Sequence, residues 1–225
     1  YEGIQVPIDA ALRIESRYFL KTAATPQAKG MIRTLFVSMQ ALGKGGNRPQ
    51  GVPESQVKKV AVIGAGLMGA GIAYVQAKAG VETVLIDVSM ENAEKGKDYS
   101  RKIVDKDVGR GKTTKEKGDA LLALIKPSTD YNDIKGADLV IEAVFENPAL
   151  KAEITKKAEA VLGENAVMGS NTSTLPITGL AEASVRPKNF IGIHFFSPVE
   201  RMGLVELIRG KETTDETVAK AIDYV

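Results

Sequence analysis

A lone histidine and a glutamate twelve positions later offer the most specific chemistry in this sequence. His194 lies at the end of an apolar strand, in the run IGIHFFSPV, and Glu206 lies in a second apolar run, LVELI. A buried carboxylate is costly unless it has a partner, and the imidazole is an available one. A carboxylate that fixes the imidazole tautomer and stabilises its protonated form is what a general base needs. Each residue also has a structural alternative. His194 would be a core residue whose hydrogen bonds are satisfied within the protein, and Glu206 would be held by backbone amides or an arginine.

Further polar residues follow two other predicted strands. Ser173, in the run GSNTST, is able to donate its hydroxyl to a substrate oxygen, although a helix cap or turn residue explains it equally well. Glu146, Asn147 and Lys151 follow the run DLVIEAV, and a solvated helix start is an equal alternative for them. Because parallel strands expose their carboxyl ends to one ligand crevice, we expect these residues on the same side as His194.

The glycines of the stretch VAVIGAGLMGAG predict how a cofactor is held. Gly64, Gly66 and Gly69 follow a β-prone run with GxGxxG spacing. The first permits a sharp turn, the second leaves room for a phosphate, and the third lets the following helix lie close to the strand. The amides opening that helix, at Leu67 and Met68, would face the anion. Glycines at these offsets also occur in ordinary loops, so the motif depends on its context.

Asp87 supplies that context. It ends the next predicted strand, eighteen residues after Gly69, where a dinucleotide fold has an acid that binds the adenosine ribose. No Arg or Lys follows before Lys95, so a 2′-phosphate would meet a carboxylate without a nearby cation. The sequence therefore favours NAD over NADP, the alternative being a surface aspartate that only closes a strand.

Strands and helices alternate from residue 57 onward. The predicted strands are 57–63, 82–87, 124–128, 137–144, 166–170, 190–195 and 204–208, and the predicted helices between them include 67–79, a pair within 90–123, and 149–162. This alternation predicts an α/β fold with a Rossmann-like, doubly wound, mostly parallel sheet.

The first 46 residues have helical spacing and no predicted strand. Asp9 is expected to cap one helix, and Thr25, followed by Pro26, a second. We interpret the apolar stripe of these helices as core packing against the next domain, the alternative being a ligand groove. Residues 47–55 predict an extended linker. The last helical stripe has no cap after Val225, so we expect a fragment of a longer protein.

Composition excludes several classes of protein. The 30 basic and 28 acidic residues are well mixed, so no basic stripe indicates nucleic acid. The absence of cysteine excludes a disulfide framework and a thiolate nucleophile, and a single histidine excludes a multi-histidine metal site, so no metal is predicted. The longest uncharged run is too short for a membrane span.

Four motifs in order, GAGLMGAGIA, VIEAVFEN, SNTSTL and HFFSPVERMGLVELI, resemble the NAD-binding domain of L-3-hydroxyacyl-CoA dehydrogenase of fatty-acid β-oxidation. The segment VPIDAALRIESRYF and the linker GNRP resemble the connector of the multifunctional fatty-acid oxidation α subunit. The resemblance covers the whole chain. It implies that 1–56 is a helical segment and linker after a hydratase part, and that 57–225 is the NAD-binding domain without the family's C-terminal helical domain.

The resemblance also implies roles. His194 would take the 3-hydroxyl proton, and Glu206 would orient and polarise the His194 imidazole. Ser173 would donate a hydrogen bond to the substrate oxygen. Asp87 would hold the cofactor's ribose. Ser197 stands where many members of the family have asparagine, so a hydroxyl replaces an amide near the histidine. The residues implied beside the nicotinamide and CoA are Ala143, Val144, Glu146 and Lys151.

The implied activity is NAD-dependent oxidation of L-3-hydroxyacyl-CoA to 3-ketoacyl-CoA, in a multifunctional enzyme of the bacterial cytoplasm. The implied partners are the acyl-CoA substrate and a thiolase β subunit, and a homo-oligomer is a further expectation. Two alternatives stay open. One is an NAD-binding fragment with no turnover of its own, and the other is a hydroxyacid or sugar-acid dehydrogenase of the same fold, which would typically use a lysine base.

Overall fold

The computed structural model describes residues 1–225, which form two units, Tyr1–Arg48 and Pro49–Val225. The first unit is helical, as predicted. After a 3-10 turn it consists of α1 (Ile8–Ala23), α2 (Pro26–Ile32), a π-helical stretch (Arg33–Ser38) and α3 (Met39–Gly43). No helix anywhere in the chain combines the length and the apolar character needed to cross a membrane.

The two predicted caps in the first unit have different outcomes. Thr25 caps α2, since its side chain accepts a hydrogen bond from the Ala28 amide and Pro26 opens the helix. The prediction for Asp9 was wrong, because α1 begins directly after Pro7 without a side-chain cap and Asp9 lies in the first turn. An acidic residue there still interacts favourably with the helix dipole.

The second unit is a seven-stranded sheet in the order β3-β2-β1-β4-β5-β6-β7, with helices between most of its strands. Neighbouring strands are parallel except β6 and β7, which are antiparallel. This confirms the Rossmann-like, mostly parallel sheet. The strands are β1 (Lys59–Ile63), β2 (Glu82–Ile86), β3 (Ile125–Ser128), β4 (Leu139–Glu142), β5 (Val167–Ser170), β6 (Phe190–Phe195) and β7 (Val205–Ile208). The helices are α4 (Leu67–Lys78), α5 (Met90–Gly109), α6 (Lys115–Ala123), α7 (Pro148–Glu159), α8 (Ile177–Ala181) and α9 (Asp215–Tyr224).

The central strand β1 is buried on both faces, which explains its continuous apolar run. Val60 and Val62 pack in a core cluster that includes Ile72 of α4. Ala61 and Ile63 pack on the opposite face, in a cluster that includes Ile154 of α7. Two apolar layers therefore fix the sheet between its helices.

The end of β4 and the segment before β1 differ from the prediction. β4 ends at Glu142, so Ala143 and Val144 belong to the loop at the carboxyl edge of the sheet. The prediction of an extended linker over 47–55 was wrong in its first part, where 47, 50 and 51 lie in turns and 48 in a bend, whereas 52–58 form no helix, strand or turn. In that second part Ser55 donates its amide and hydroxyl to Asp223 Oδ2 at 2.8 and 3.1 Å. That pair of hydrogen bonds fastens the entry to β1 onto α9.

Candidate active site

The glycine turn between β1 and α4 has the geometry that its spacing predicts. Gly64 has a φ of +101°, and a Cβ there would lie 2.7 Å from the Ala143 carbonyl oxygen. A Cβ on Gly69 would overlap the Gly64 carbonyl oxygen, so α4 begins this close to β1 only because both positions are glycine. At Gly66 the space is open, and α4 starts there without a side-chain cap. The first amides of α4 are thus left for an anion.

The residues around the turn differ in exposure. Leu67 is exposed and Met68 half-buried at the start of α4. Ala143 donates its amide to the Ile63 carbonyl at 2.7 Å, and a Cβ at Gly64 would also press on the Val144 side chain. The loop after β4 therefore forms one wall of the glycine turn.

Asp87, directly after β2, is bound to the same turn. Its Oδ2 accepts a hydrogen bond from the Ala65 amide at 2.7 Å. Its Oδ1 accepts from the Val88 amide at 2.8 Å and from Asn92 Nδ2 at 3.1 Å. The carboxylate is half-exposed, so it is open to a ligand while it steadies the turn.

His194 and Glu206 are cross-strand partners on β6 and β7, with His194 Nδ1 2.9 Å from Glu206 Oε2. An ionised carboxylate only accepts hydrogen bonds, so Nδ1 carries the proton and Nε2 is the basic nitrogen. The Phe196 ring packs edge-on against the imidazole, with ring centroids 4.6 Å apart. The geometry is that of a histidine oriented by a carboxylate.

The expectation that Glu206 is buried was wrong. Its side chain is 53% exposed, whereas that of His194 is 18% exposed. Glu206 alternates with Val205 and Leu207, which are half-buried and pack on the core, so β7 presents one face to the apolar cluster and the other outward. The apolar run therefore indicated a strand correctly, but the cost of burial does not explain the pair.

Glu146 and Ser173 are joined across two loops. Glu146 Oε1 accepts from the Ser173 amide at 2.7 Å, from the Thr172 hydroxyl at 2.9 Å and from the Ser173 hydroxyl at 3.2 Å. Burial by itself would raise the pKa of Glu146, but these hydrogen bonds and the nearby Lys151 ammonium outweigh it and lower the pKa. The carboxylate is consequently ionised and holds the loop after β5.

Lys151 lies under this contact. Its side chain is 3% exposed, and Nζ is 2.7 Å from Glu142 Oε1 and 3.2 Å from Glu146 Oε2. The alternative of a solvated helix start is wrong for Lys151. It is right for Asn147, whose side chain caps α7 by accepting from the Leu150 amide.

Glu142 is the residue that the sequence analysis missed. It ends β4, is 1% exposed, and has hydrogen-bond donors on both oxygens. Its signal was a carboxylate inside the apolar run DLVIEAV, which is costly to bury without a partner. Lys151 lies nine residues later on the helix that packs against this strand, and it was the available counter-ion.

The structure brings the predicted residues together at the carboxyl edge of the sheet, in two clusters. One is the pair His194 and Glu206, and the other links Glu146, Lys151 and Ser173. Asn171 lies between the two clusters. Its side-chain Oδ1 accepts a hydrogen bond from the Phe195 backbone amide at 2.8 Å, and its backbone amide donates to the Glu142 carbonyl oxygen. Ser197, in the loop after β6, is exposed.

A Rossmann-type sheet, an uncapped helix behind a glycine turn, and an aspartate at the end of β2 define a dinucleotide-binding domain of the α/β class. Residues 59–225 match the family described as 3-hydroxyacyl-CoA dehydrogenase, NAD binding domain. The chain belongs to this family, whose cofactor is NAD.

Known proteins with similar sequences and structures agree with that assignment. A fatty acid oxidation complex subunit alpha from Psychrobacter arcticus is 40% identical over 219 residues, which are 97% of this chain and 30% of that protein. The chain therefore spans about a third of the length of this relative. The (S)-3-hydroxybutyryl-CoA dehydrogenase of Ralstonia eutropha is 41% identical, with a TM-score of 0.70 over 75% of this chain and 62% of that one. A 3-hydroxybutyryl-CoA dehydrogenase of Escherichia coli is 35% identical, with a TM-score of 0.72 over 76% of this chain and 37% of that one.

Proposed function

We propose that this chain is the NAD-binding part of an NAD-dependent L-3-hydroxyacyl-CoA dehydrogenase, which oxidises the 3-hydroxyl group of its substrate to a ketone in fatty-acid β-oxidation. The observation that carries the proposal is the 2.9 Å contact between His194 Nδ1 and Glu206 Oε2. It lies on the edge of the sheet that also holds the dinucleotide-type glycine turn.

In this proposal His194 is the general base. Glu206 keeps the proton on Nδ1, so Nε2 is the atom that takes the 3-hydroxyl proton of the substrate. The imidazolium that results is stabilised by the same carboxylate. NAD held by the glycine turn would supply the acceptor for the hydride from C3, so that proton and hydride together account for a two-electron oxidation.

Ser173 and Glu146 fit a role in positioning the reacting groups. Of the three hydrogen bonds to Glu146 Oε1, the 3.2 Å bond from the Ser173 hydroxyl is the longest, and the 2.7 Å bond from the Ser173 amide fixes the loop. The hydroxyl is thus able to turn to a substrate oxygen without releasing the loop. Glu146 and Lys151 would line the nicotinamide side, as the resemblance implies.

For the cofactor itself, the residues of the glycine turn and its wall are the proposed ligands. The open space at Gly66 and the uncapped start of α4 suit a pyrophosphate, with Leu67 and Met68 supplying amides. Asp87 would accept hydrogen bonds from the hydroxyl groups of the adenosine ribose. The 2′-phosphate of NADP would be repelled by the negative charge of this carboxylate. Ala143 and Val144 would border the cofactor from the neighbouring loop.

We infer that the chain works inside a longer multifunctional protein of the bacterial cytoplasm. The Psychrobacter relative is described as the alpha subunit of a complex, which supports a partner subunit. A thiolase β subunit fits chemically, because a thiolase consumes the 3-ketoacyl-CoA that this reaction forms. Residues 1–56 would then connect a preceding hydratase part to the NAD-binding domain at 57–225.

The proposal is tested with the full-length protein that contains this chain. His194→Gln should lower kcat/KM for an L-3-hydroxyacyl-CoA on the order of a hundredfold or more, because a positioned base contributes about that much. NADH affinity measured by calorimetry should stay the same, which separates lost chemistry from lost folding. An undiminished rate would refute the base, and an inactive wild-type protein would refute the substrate class.

A further inference from the structure

Glu142 is fully engaged next to the proposed site, and none of the roles above uses it. Its carboxylate is 1% exposed at the end of β4. Oε1 accepts from Lys151 Nζ at 2.7 Å and from the Val144 amide at 2.8 Å, and Oε2 accepts from the Ser170 hydroxyl at 2.8 Å. One carboxylate thus joins β4, β5, α7 and the loop that faces the glycine turn.

Lys151 connects buried Glu142 to the more exposed Glu146. Its ammonium group lies between two carboxylates, 2.7 Å from buried Glu142 and 3.2 Å from half-exposed Glu146. A buried ammonium is costly unless a counter-ion and hydrogen bonds satisfy it. Glu142 is the buried counter-ion, and it keeps Lys151 in the position from which Nζ also reaches Glu146.

We propose that Glu142 is a positioning residue of the active site: it fixes Lys151, and Lys151 in turn holds Glu146 against Ser173. The proposal rests on the proposed function, since it assigns a purpose to contacts around that site. Three contacts carry it in series, from Glu142 to Lys151, from Lys151 to Glu146, and from Glu146 to the amide and hydroxyl of Ser173.

The competing explanation is that Glu142 only fills a polar gap between the sheet and α7. The chain contains a buried carboxylate with a purely structural set of contacts at the far end of the same helix, where it joins α7 to the loop after α8. Glu159 is 8% exposed and accepts from the Ser184 hydroxyl at 2.5 Å and from the Val185 amide at 2.8 Å, and none of its contacts involves a proposed site residue. Glu159→Gln is therefore a matched control for Glu142→Gln.

The experiment is a double-mutant cycle in the full-length protein, with kcat/KM for an L-3-hydroxyacyl-CoA and NAD, and with urea unfolding of every variant. Glu142→Gln should lower kcat/KM roughly tenfold to a hundredfold, as expected for losing a charged hydrogen-bond partner. Glu146→Gln should cause a comparable loss. The double variant should be no slower than Glu146→Gln alone, because both changes break the same series of contacts.

Independent losses that multiply in the double variant would overturn the proposal. The control Glu159→Gln should keep the wild-type kcat/KM. A Glu142→Gln protein that loses stability but is as active as this control would also overturn the proposal. If Glu142→Gln does not fold, Ser170→Ala replaces it, since this change removes the only donor to Glu142 Oε2. Ser170→Ala should lower kcat/KM several-fold in the wild-type protein and should lower it no further in the Glu146→Gln variant. A further loss in that variant would contradict the proposal. A wild-type protein without dehydrogenase activity would contradict the proposed function instead.

Discussion

At the scale of single residues, Asp87 has two tasks that its position at the end of β2 combines. Its Oδ2 holds the Ala65 amide inside the glycine turn, and its Oδ1 is held by the Val88 amide and the Asn92 side chain. The carboxylate is therefore already oriented before a cofactor binds. A neutral amide in its place would keep the shape of the side chain but lose the charge that repels a 2′-phosphate.

We expect Asp87→Asn to weaken NADH binding by roughly tenfold to a hundredfold, the worth of a charged hydrogen bond, and to weaken NADPH binding much less. Calorimetric titration with both cofactors checks this. Asp138→Asn is the matched control, because Asp138 Oδ2 accepts from the Lys58 and Lys59 amides at the opposite edge of the sheet. Unchanged discrimination between the two cofactors in Asp87→Asn would contradict the assignment.

At the scale of secondary-structure elements, two glycines at the start of α4 have different tasks: one lets the helix lie close to β1 and the other leaves space in front of the helix. Gly69 lies against the Gly64 carbonyl oxygen, so any side chain there moves the backbone. Gly66 faces open space, so a methyl group there disturbs only what approaches the start of α4. Stability and cofactor binding can therefore be separated by substituting them one at a time.

Gly69→Ala should lower the free energy of unfolding by about 1–3 kcal/mol, the usual cost of overpacking. Gly66→Ala should change the free energy of unfolding by less than about 1 kcal/mol and weaken NADH binding by at least roughly tenfold. Urea unfolding and NADH titration measure the two effects. Gly179→Ala, in α8 with nothing near its Cβ position, should leave both unchanged or slightly raise stability. A stable Gly69→Ala protein would mean that α4 is able to shift away from β1.

At the scale of the whole molecule, the sheet and the site belong to one compact unit, Pro49–Val225. The cofactor side of the site rests on buried strand ends and on buried groups such as Lys151. The proton-transfer side is more open, since Glu206 is 53% exposed on the outward face of β7. Excluding water from such a pair strengthens the electrostatic interaction between its members. In this chain the Glu206 carboxylate is exposed to solvent.

We therefore expect the 225-residue chain alone to bind NADH in preference to NADPH but to reduce a 3-ketoacyl-CoA at least about a hundredfold more slowly than the full-length protein. Titration of both cofactors and the loss of NADH absorbance measure these two properties. Equal turnover by the two proteins would show that the open pair is sufficient. A folded chain that binds no NADH would contradict the reading of the glycine turn.

The residues alone were enough to predict the α/β class, the order of strands and helices along the chain, the turn at Gly64 to Gly69, and the pairing of His194 with Glu206. The fold class, the order of elements and the glycine turn follow from local rules, because strand and helix periodicity and glycine spacing are visible along the chain. The pairing of His194 with Glu206 was predicted from the cost of a buried carboxylate, but that carboxylate is 53% exposed. Tertiary structure alone decided that Glu206 is exposed, since burial depends on which face of β7 other elements cover. It also decided that Lys151 is buried and joins Glu142 to Glu146, because that contact depends on how α7 packs against the ends of β4 and β5.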